Sequence, residues 1–112
     1  MPLLSLKTNA SIENPQETCD SLSRLTAEIL GKPESYVMVL VQDQQDMIFS
    51  GTHEPAALVE LKSLGLPEDK TGDFSDKLCA HVNMLTGIAA NRIYIEFSGP
   101  ARHMWGWDHH TF

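Results

Sequence analysis

Only two cysteines, Cys19 and Cys79, occur in 112 residues, far apart and without C-x-x-C spacing. That disfavours a disulfide framework or a thiolate metal site, so both thiols are expected to lie buried or half-buried in helices. Positive charge is also scarce: 8 Lys and Arg stand against 15 Asp and Glu, a formal net charge of -7. No basic patch is available to neutralise phosphates, so neither nucleic acid nor an anionic membrane is an expected partner. An anionic substrate must be drawn by a local cation rather than by the whole surface. No apolar run approaches the length of a membrane span. The first fifteen residues lack the basic lead and apolar core of a secretory leader. A cytoplasmic location is expected, or export by a route that needs no such leader. G-x-G-x-x-G, Walker, G-x-S-x-G and H-E-x-x-H patterns are absent. No nucleotide, flavin or zinc cofactor is expected.

What is present reads twice. Leu4-Ser5-Leu6-Lys7-Thr8 resembles Val59-Glu60-Leu61-Lys62-Ser63, and Leu30-Gly31 with Tyr36-Val37-Met38-Val39 resembles Thr86-Gly87 with Arg92-Ile93-Tyr94-Ile95. Two matches at nearly one offset predict a single domain over 1–112, built from pseudo-repeats of about 1–50 and 57–105 plus a C-terminal tail. Each repeat reads strand, helix, strand. Strands are expected at 3–8, 36–41, 58–63 and 92–97. The first helix begins at Asn14-Pro15, a capping residue followed by a proline suited to a first turn. Leu22, Leu25, Ile29 and Leu30 form its apolar stripe, and Gly31 ends it. A loop runs from Gly65 to Gly72. Phe74, Leu78, Val82 and Leu85 mark the second helix, which stops near Gly87. The expected fold is α+β, a duplicated βαβ or ferredoxin-like split-βαβ plan, with two helices on one face of a four-stranded mixed sheet. The segment 37–41 is apolar on both faces, so the uncovered sheet face predicts a closed cyclic oligomer.

Several residues carry chemistry. Pro2 follows the initiator Met, which aminopeptidases commonly remove before proline. A freed proline would offer a ring-locked secondary amine. Such an α-amino group titrates nearer neutrality than lysine, and burial or a neighbouring cation lowers it further. That makes it suited to proton transfer, although Met-Pro starts are common in chains with no such role. Lys32, between Gly31 and Pro33, reads either as a solvated helix-end charge or as a carboxylate clamp beside the Pro2 amine. Leu64, in Lys62-Ser63-Leu64-Gly65, reads as a strand end or as a backbone N–H donor. Tyr94 and Glu96 share a strand face, either solvated or available for hydrogen bonding and proton transfer in a pocket. Trp105 and Trp107 in the tail would pack on another subunit or wall an apolar pocket. His109 and His110 are adjacent, point opposite ways on an extended chain, and predict no metal site. His81 and His103 carry no signal of their own.

Taken together, Met1-Pro2, Thr8-Asn9, Gly31-Lys32-Pro33, Tyr36, Glu54-Pro55-Ala56, Ser63-Leu64-Gly65, Arg92-Ile93-Tyr94-Ile95, Gly106-Trp107 and Thr111-Phe112 resemble the macrophage migration inhibitory factor family. The resemblance covers nearly the whole chain. It implies the tautomerase superfamily, a duplicated βαβ unit and a homotrimer. The implied activity is cofactor-free keto–enol tautomerisation of phenylpyruvate-like α-keto acids and dopachrome-like compounds. Pro2 would be the base, Lys32 would bind the substrate carboxylate and Leu64 would donate its N–H. Tyr36, Tyr94 and Trp107 would line a pocket at a subunit interface, with Phe112 near its rim. Glu96 stands where the vertebrate pattern has asparagine, which alters the expected substrate preference. Ala56-Ala57-Leu58-Val59 replaces the vertebrate C-x-x-C, so no thiol–disulfide activity is expected. Ala10-Ser11-Ile12 lacks the arginine of chemokine-receptor mimicry. The alternative implied by the resemblance is a cytokine-like signalling protein with a vestigial pocket and a receptor partner if exported.

Overall fold

The computed structural model describes all residues, 1–112. Its strands are β1 (Leu3–Thr8), β2 (Met38–Gln42), β3 (Ala57–Lys62) and β4 (Ile93–Ser98), with helices α1 (Pro15–Leu30) and α2 (Thr71–Thr86). The sheet runs β2-β1-β3-β4. β1 is parallel to β2 and antiparallel to β3, and β3 is parallel to β4. This is the expected four-stranded mixed sheet with two helices on one face.

The local signals explain the elements. Asn14 Oδ1 accepts from the Glu17 N–H at 3.2 Å, and Pro15 occupies the first turn, where its missing N–H costs nothing. Gly31 closes α1 in the left-handed conformation at φ 62°, which a side chain rarely adopts. The apolar stripe of α1 is narrower than expected. Thr18, Leu22 and Thr26 are the buried residues, while Leu25, Ile29 and Leu30 flank them, partly buried against the core. In α2 Phe74, Leu78 and Val82 are buried, and Leu85, the fourth residue of the expected stripe, is only partly buried. The core joins Leu22, Leu78 and Val82 to Leu4, Leu6, Val59, Leu61 and Ile93 from alternate positions on three strands. Both cysteines lie in helices, half-buried and unpaired, and burial raises the Cys19 thiol pKa, helped by nearby Asp20.

Boundaries differ from those expected: β3 and β4 are each shifted by one residue from 58–63 and 92–97, and other differences are larger. Tyr36 is not in a strand. It ends a one-turn helix, Glu34–Tyr36, and β2 starts only at Met38. The loop expected from Gly65 to Gly72 contains another single turn, Glu68–Lys70, and α2 already begins at Thr71. The tail forms a small hairpin, β5 (Gly106–Trp107) with β6 (His110–Thr111).

The second sheet face has no helix over it. Leu3, Ser5 and Lys7 lie on it, beside Met38, Leu40 and Gln42 in β2 and Lys62, Glu60 and Leu58 in β3. Tyr94, Glu96 and Ser98 continue it on β4. Met38, Leu40 and Tyr94 are exposed there by 62%, 48% and 63%. That is a large apolar contribution for a surface facing water.

One polar contact ties the two helices together. Ser21 Oγ and His81 Nε2 lie 2.7 Å apart. Burial, and then the charge of Arg24, hold the His81 imidazole below its ordinary pKa. The unfolded chain therefore takes up a proton that the folded chain resists. This contribution to stability is complete above the ordinary imidazole value of about 6.5. It is lost as pH falls from there through the folded value. Scanning calorimetry should show Tm falling on acidification from pH 7 to 5, with a flatter decline in His81→Gln. Superimposable profiles for the two proteins would remove His81 as a cause.

Candidate functional site

The end of α1, the start of β2 and the end of β3 converge on the N-terminus. The Lys32 N–H donates to the Ala27 carbonyl at 3.0 Å, which fixes where the chain leaves the helix. The Tyr36 N–H then donates to Pro33 at 3.1 Å, making the tight turn that places the phenol. The Met38 N–H donates to the Pro2 carbonyl at 3.0 Å, so the parallel pairing of β1 and β2 begins at Pro2 itself. Pro2 is almost wholly buried.

Beside it lies a cavity of about 540 Å³ whose walls include Met1, Lys32, Tyr36, Leu64, Trp107 and Phe112. Pro33, Gly65 and Arg102 complete them. An adjoining hollow of about 390 Å³ shares Met1, Tyr36 and Trp107 and adds Pro2, Met38 and Trp105. Lys32 Nζ donates to the Leu64 carbonyl at 3.1 Å. The Leu64 N–H itself has no acceptor in the chain. Gly65, at φ 65°, turns the backbone away immediately after it. The terminal amine of Met1 is held below the ordinary α-amino value, first by partial burial and then by the charges of Lys32 and Arg102.

The aromatic wall comes from the tail hairpin. Asp108 and His109 both have positive φ, 49° and 70°, as a two-residue hairpin turn requires. The Trp107 and Phe112 rings stack with centroids 6.4 Å apart and planes 7° from parallel. The Phe112 N–H donates to the Trp105 carbonyl at 3.1 Å, and Lys62 Nζ sits 5.7 Å over the Trp105 ring.

A second network braces the far end of the sheet. Asn9 Nδ2 donates to the His53 and Glu54 carbonyls, both at 3.1 Å, while its Oδ1 accepts from the Ala56 N–H at 2.9 Å. Arg92 donates to the carbonyls of Pro55, Phe49 and Glu54 at 2.9, 3.1 and 3.0 Å. These residues pin the long loop between β2 and β3. They do not face the cavity.

The structure thus gathers Lys32, Tyr36, Leu64, Trp107 and Phe112 around the N-terminus, with Pro2 in the adjoining hollow. Tyr94 and Glu96 are not among them. They lie on β4, at the opposite edge of the sheet from β2. Tyr94 meets Phe49 edge-on at 4.7 Å, and Glu96 pairs in register with Glu60. Sequence reasoning missed Arg102, whose only signal was a cation in a chain with few. A larger groove of about 710 Å³, near the start of α1, is lined by Glu13 and Glu17 and by no cation, so it is no place for an anion. No helix is long and apolar enough to cross a membrane.

Residues 1–112 match the family model described as macrophage migration inhibitory factor. A homolog from Trichinella spiralis is 38% identical over 114 residues, covering 100% of each chain. The Mus musculus factor is 33% identical over 116 residues, covering 100% of this chain and 99% of its own. A solved homologue from Prochlorococcus marinus superimposes with a TM-score of 0.93 at 38% identity, covering 98% of both chains.

Proposed function

Because the chain belongs to the macrophage migration inhibitory factor family, and so to the tautomerase superfamily, we propose that it is a cofactor-free keto–enol tautomerase with the Pro2 amine as base. The observation that carries this reading is the environment of the N-terminus. An amine in that corner is part-buried and faces two cations, so it is held toward its neutral, proton-accepting form. Removal of Met1 would move this property onto Pro2. With Met1 attached, the Pro2 nitrogen is a peptide nitrogen without a basic electron pair.

Lys32 would bind the carboxylate of an α-keto acid. The free Leu64 N–H would support a substrate oxygen, and Tyr36, Trp107 and Phe112 would hold an aromatic tail. Pro2 would take the proton from the carbon beside the carbonyl. The enol formed would be stabilised by the fixed donors, and the proton would return to the other end of the system. Positioning has to contribute as well, since one base supplies only about 10²–10⁴-fold.

We propose further that the working unit is a trimer, in which the uncovered sheet faces pack together and Tyr94 of one copy completes the pocket of the next. Its position at the far sheet edge favours this arrangement over a pocket built from one chain. Ultraviolet assay of phenylpyruvate enol should show ketonisation well above the buffer rate by protein whose intact mass lacks Met1. Lys32→Gln should raise KM about tenfold or more, as loss of a charge-assisted contact does. A buffer-level rate from the processed protein would overturn the enzyme reading in favour of a signalling protein with an idle pocket.

A further inference from the structure

Arg102 and Lys32 are the two side-chain cations on the cavity wall. Arg102 opens a single helical turn, Arg102–Met104, in the tail. Its side chain makes no hydrogen bond within the chain, whereas Arg92 spends three N–H groups on carbonyl oxygens. It is in no ion pair either: the two in the chain are Lys7 with Glu60 and Lys77 with Asp73. Arg102 lines the same cavity as Lys32.

No Asp or Glu side chain belongs to the walls of that cavity or of the adjoining hollow, in a chain with 15 acidic residues, and the terminal carboxylate of Phe112, itself on the wall, forms an ion pair with neither Lys32 nor Arg102. Two cations facing one apolar-walled space are poorly matched by a substrate with one negative charge. A single carboxylate would satisfy Lys32 and leave the guanidinium fork empty. A second acidic group would fill it, with the paired geometry that arginine gives to planar oxyanions.

We propose that this cavity selects dianionic organic acids, an α-keto carboxylate held by Lys32 and a second acidic group at the far end of the molecule held by Arg102. This rests on the tautomerase reading for the keto acid but not for the second anchor. Tyr36, Trp107 and Phe112 form the apolar wall of the same cavity as the two cations. An aryl or alkyl spacer with an acid at each end is therefore the class of ligand that fits. Arg102 is in this view a specificity-determining residue rather than a part of the proton-transfer step.

The test uses the full-length processed protein and three probes: phenylpyruvate, its para-methyl derivative and its para-carboxy derivative. The methyl compound matches the carboxy compound in girth but lacks the charge. Titration calorimetry and the tautomerisation assay are run in parallel. The para-carboxy compound should bind about tenfold or more tighter than the para-methyl compound, the scale of one charge-assisted contact. Arg102→Gln should bring that ratio near one, and Arg102→Lys, which keeps the charge but not the paired geometry, should retain only part of it.

An equal affinity for the two derivatives in the unaltered protein overturns the proposal. This includes the case where Glu96 of a neighbouring copy neutralises Arg102. A ratio that survives Arg102→Gln also overturns it. Binding preference without turnover of any probe would defeat the tautomerase reading and leave the second anchor standing. Turnover without the preference would do the reverse.

Discussion

Replacing Pro2 by glycine should cut kcat/KM for phenylpyruvate by about 10²–10⁴-fold, the span usually assigned to one positioned base. Glycine keeps an amine at the terminus after Met removal, so the group is not deleted. What is lost is its placement. The pyrrolidine ring fixes φ and is packed almost free of solvent exposure. Glycine leaves the amine free to rotate and to hydrate, which returns its pKa toward the ordinary α-amino value. More of it is then protonated at pH 7, and the remainder is poorly aimed. The fold should tolerate the change. The Pro2 carbonyl that receives the Met38 N–H is retained in glycine, and proline had no N–H to lose. Circular dichroism and Tm near those of the unaltered protein, with the rate collapsed, identify Pro2 as the base. An undiminished rate would assign proton transfer to another group.

The same electrostatics predict the pH profile. The acid limb of kcat/KM should follow deprotonation of the amine. Lys32→Gln removes one cation from its surroundings, so the amine pKa should rise and the limb should move to higher pH.

Much of the fold was readable because its signals are local. Asn14-Pro15 starts α1, Gly31 and Gly87 stop the two helices, and alternation in 58–62 marks β3, all within a few residues of the feature they predict. The uncovered face was readable for another reason. Apolar residues on both sides of 37–41 cannot be satisfied by helices on one side. The site was legible only in part. Pro2 and Lys32 have unusual positions in the chain, and the glycine after Leu64 signals a turn. The single helical turn at Glu34–Tyr36 follows Pro33 and looks in sequence like the beginning of a strand. Asp108-His109 is not a favoured hairpin pair, so the β5–β6 hairpin carries no turn signature, although its stacked rings form one wall of the cavity. The buried positions of Thr18 and Thr26 were hidden by residue type, since threonine adds little to an apolar stripe. The work of Asn9 and Arg92 joins segments more than 35 residues apart, which no local pattern records.

Leu40→Lys should separate the proposed trimer into monomers of about 12.5 kDa and take the activity with it. Leu40 lies in β2 on the uncovered face, beside Ser5, two residues along the strand from Met38. Both β2 and β4 are edge strands with one open hydrogen-bonding edge. A cyclic assembly would satisfy edges and apolar faces together and leave no copy with an unmatched surface. A lysine ammonium buried in such a contact, without a partner, costs roughly several kcal/mol. Cyclic symmetry repeats that cost at every interface, which is why one substitution has a large effect. Leu40→Met keeps the apolar volume and should stay assembled. The link to activity comes from strand order. Three strand spacings of about 4.8 Å separate β2, which begins at Met38, from β4, which bears Tyr94 and Glu96. No β4 side chain lines the cavity of its own chain, and in the proposed trimer Tyr94 would reach that of a neighbour. Light scattering and the phenylpyruvate assay, run on the same Leu40→Lys sample, decide the matter. A monomer that retains full turnover would show that one chain holds a complete pocket, and Tyr94 would then have no place in the reaction.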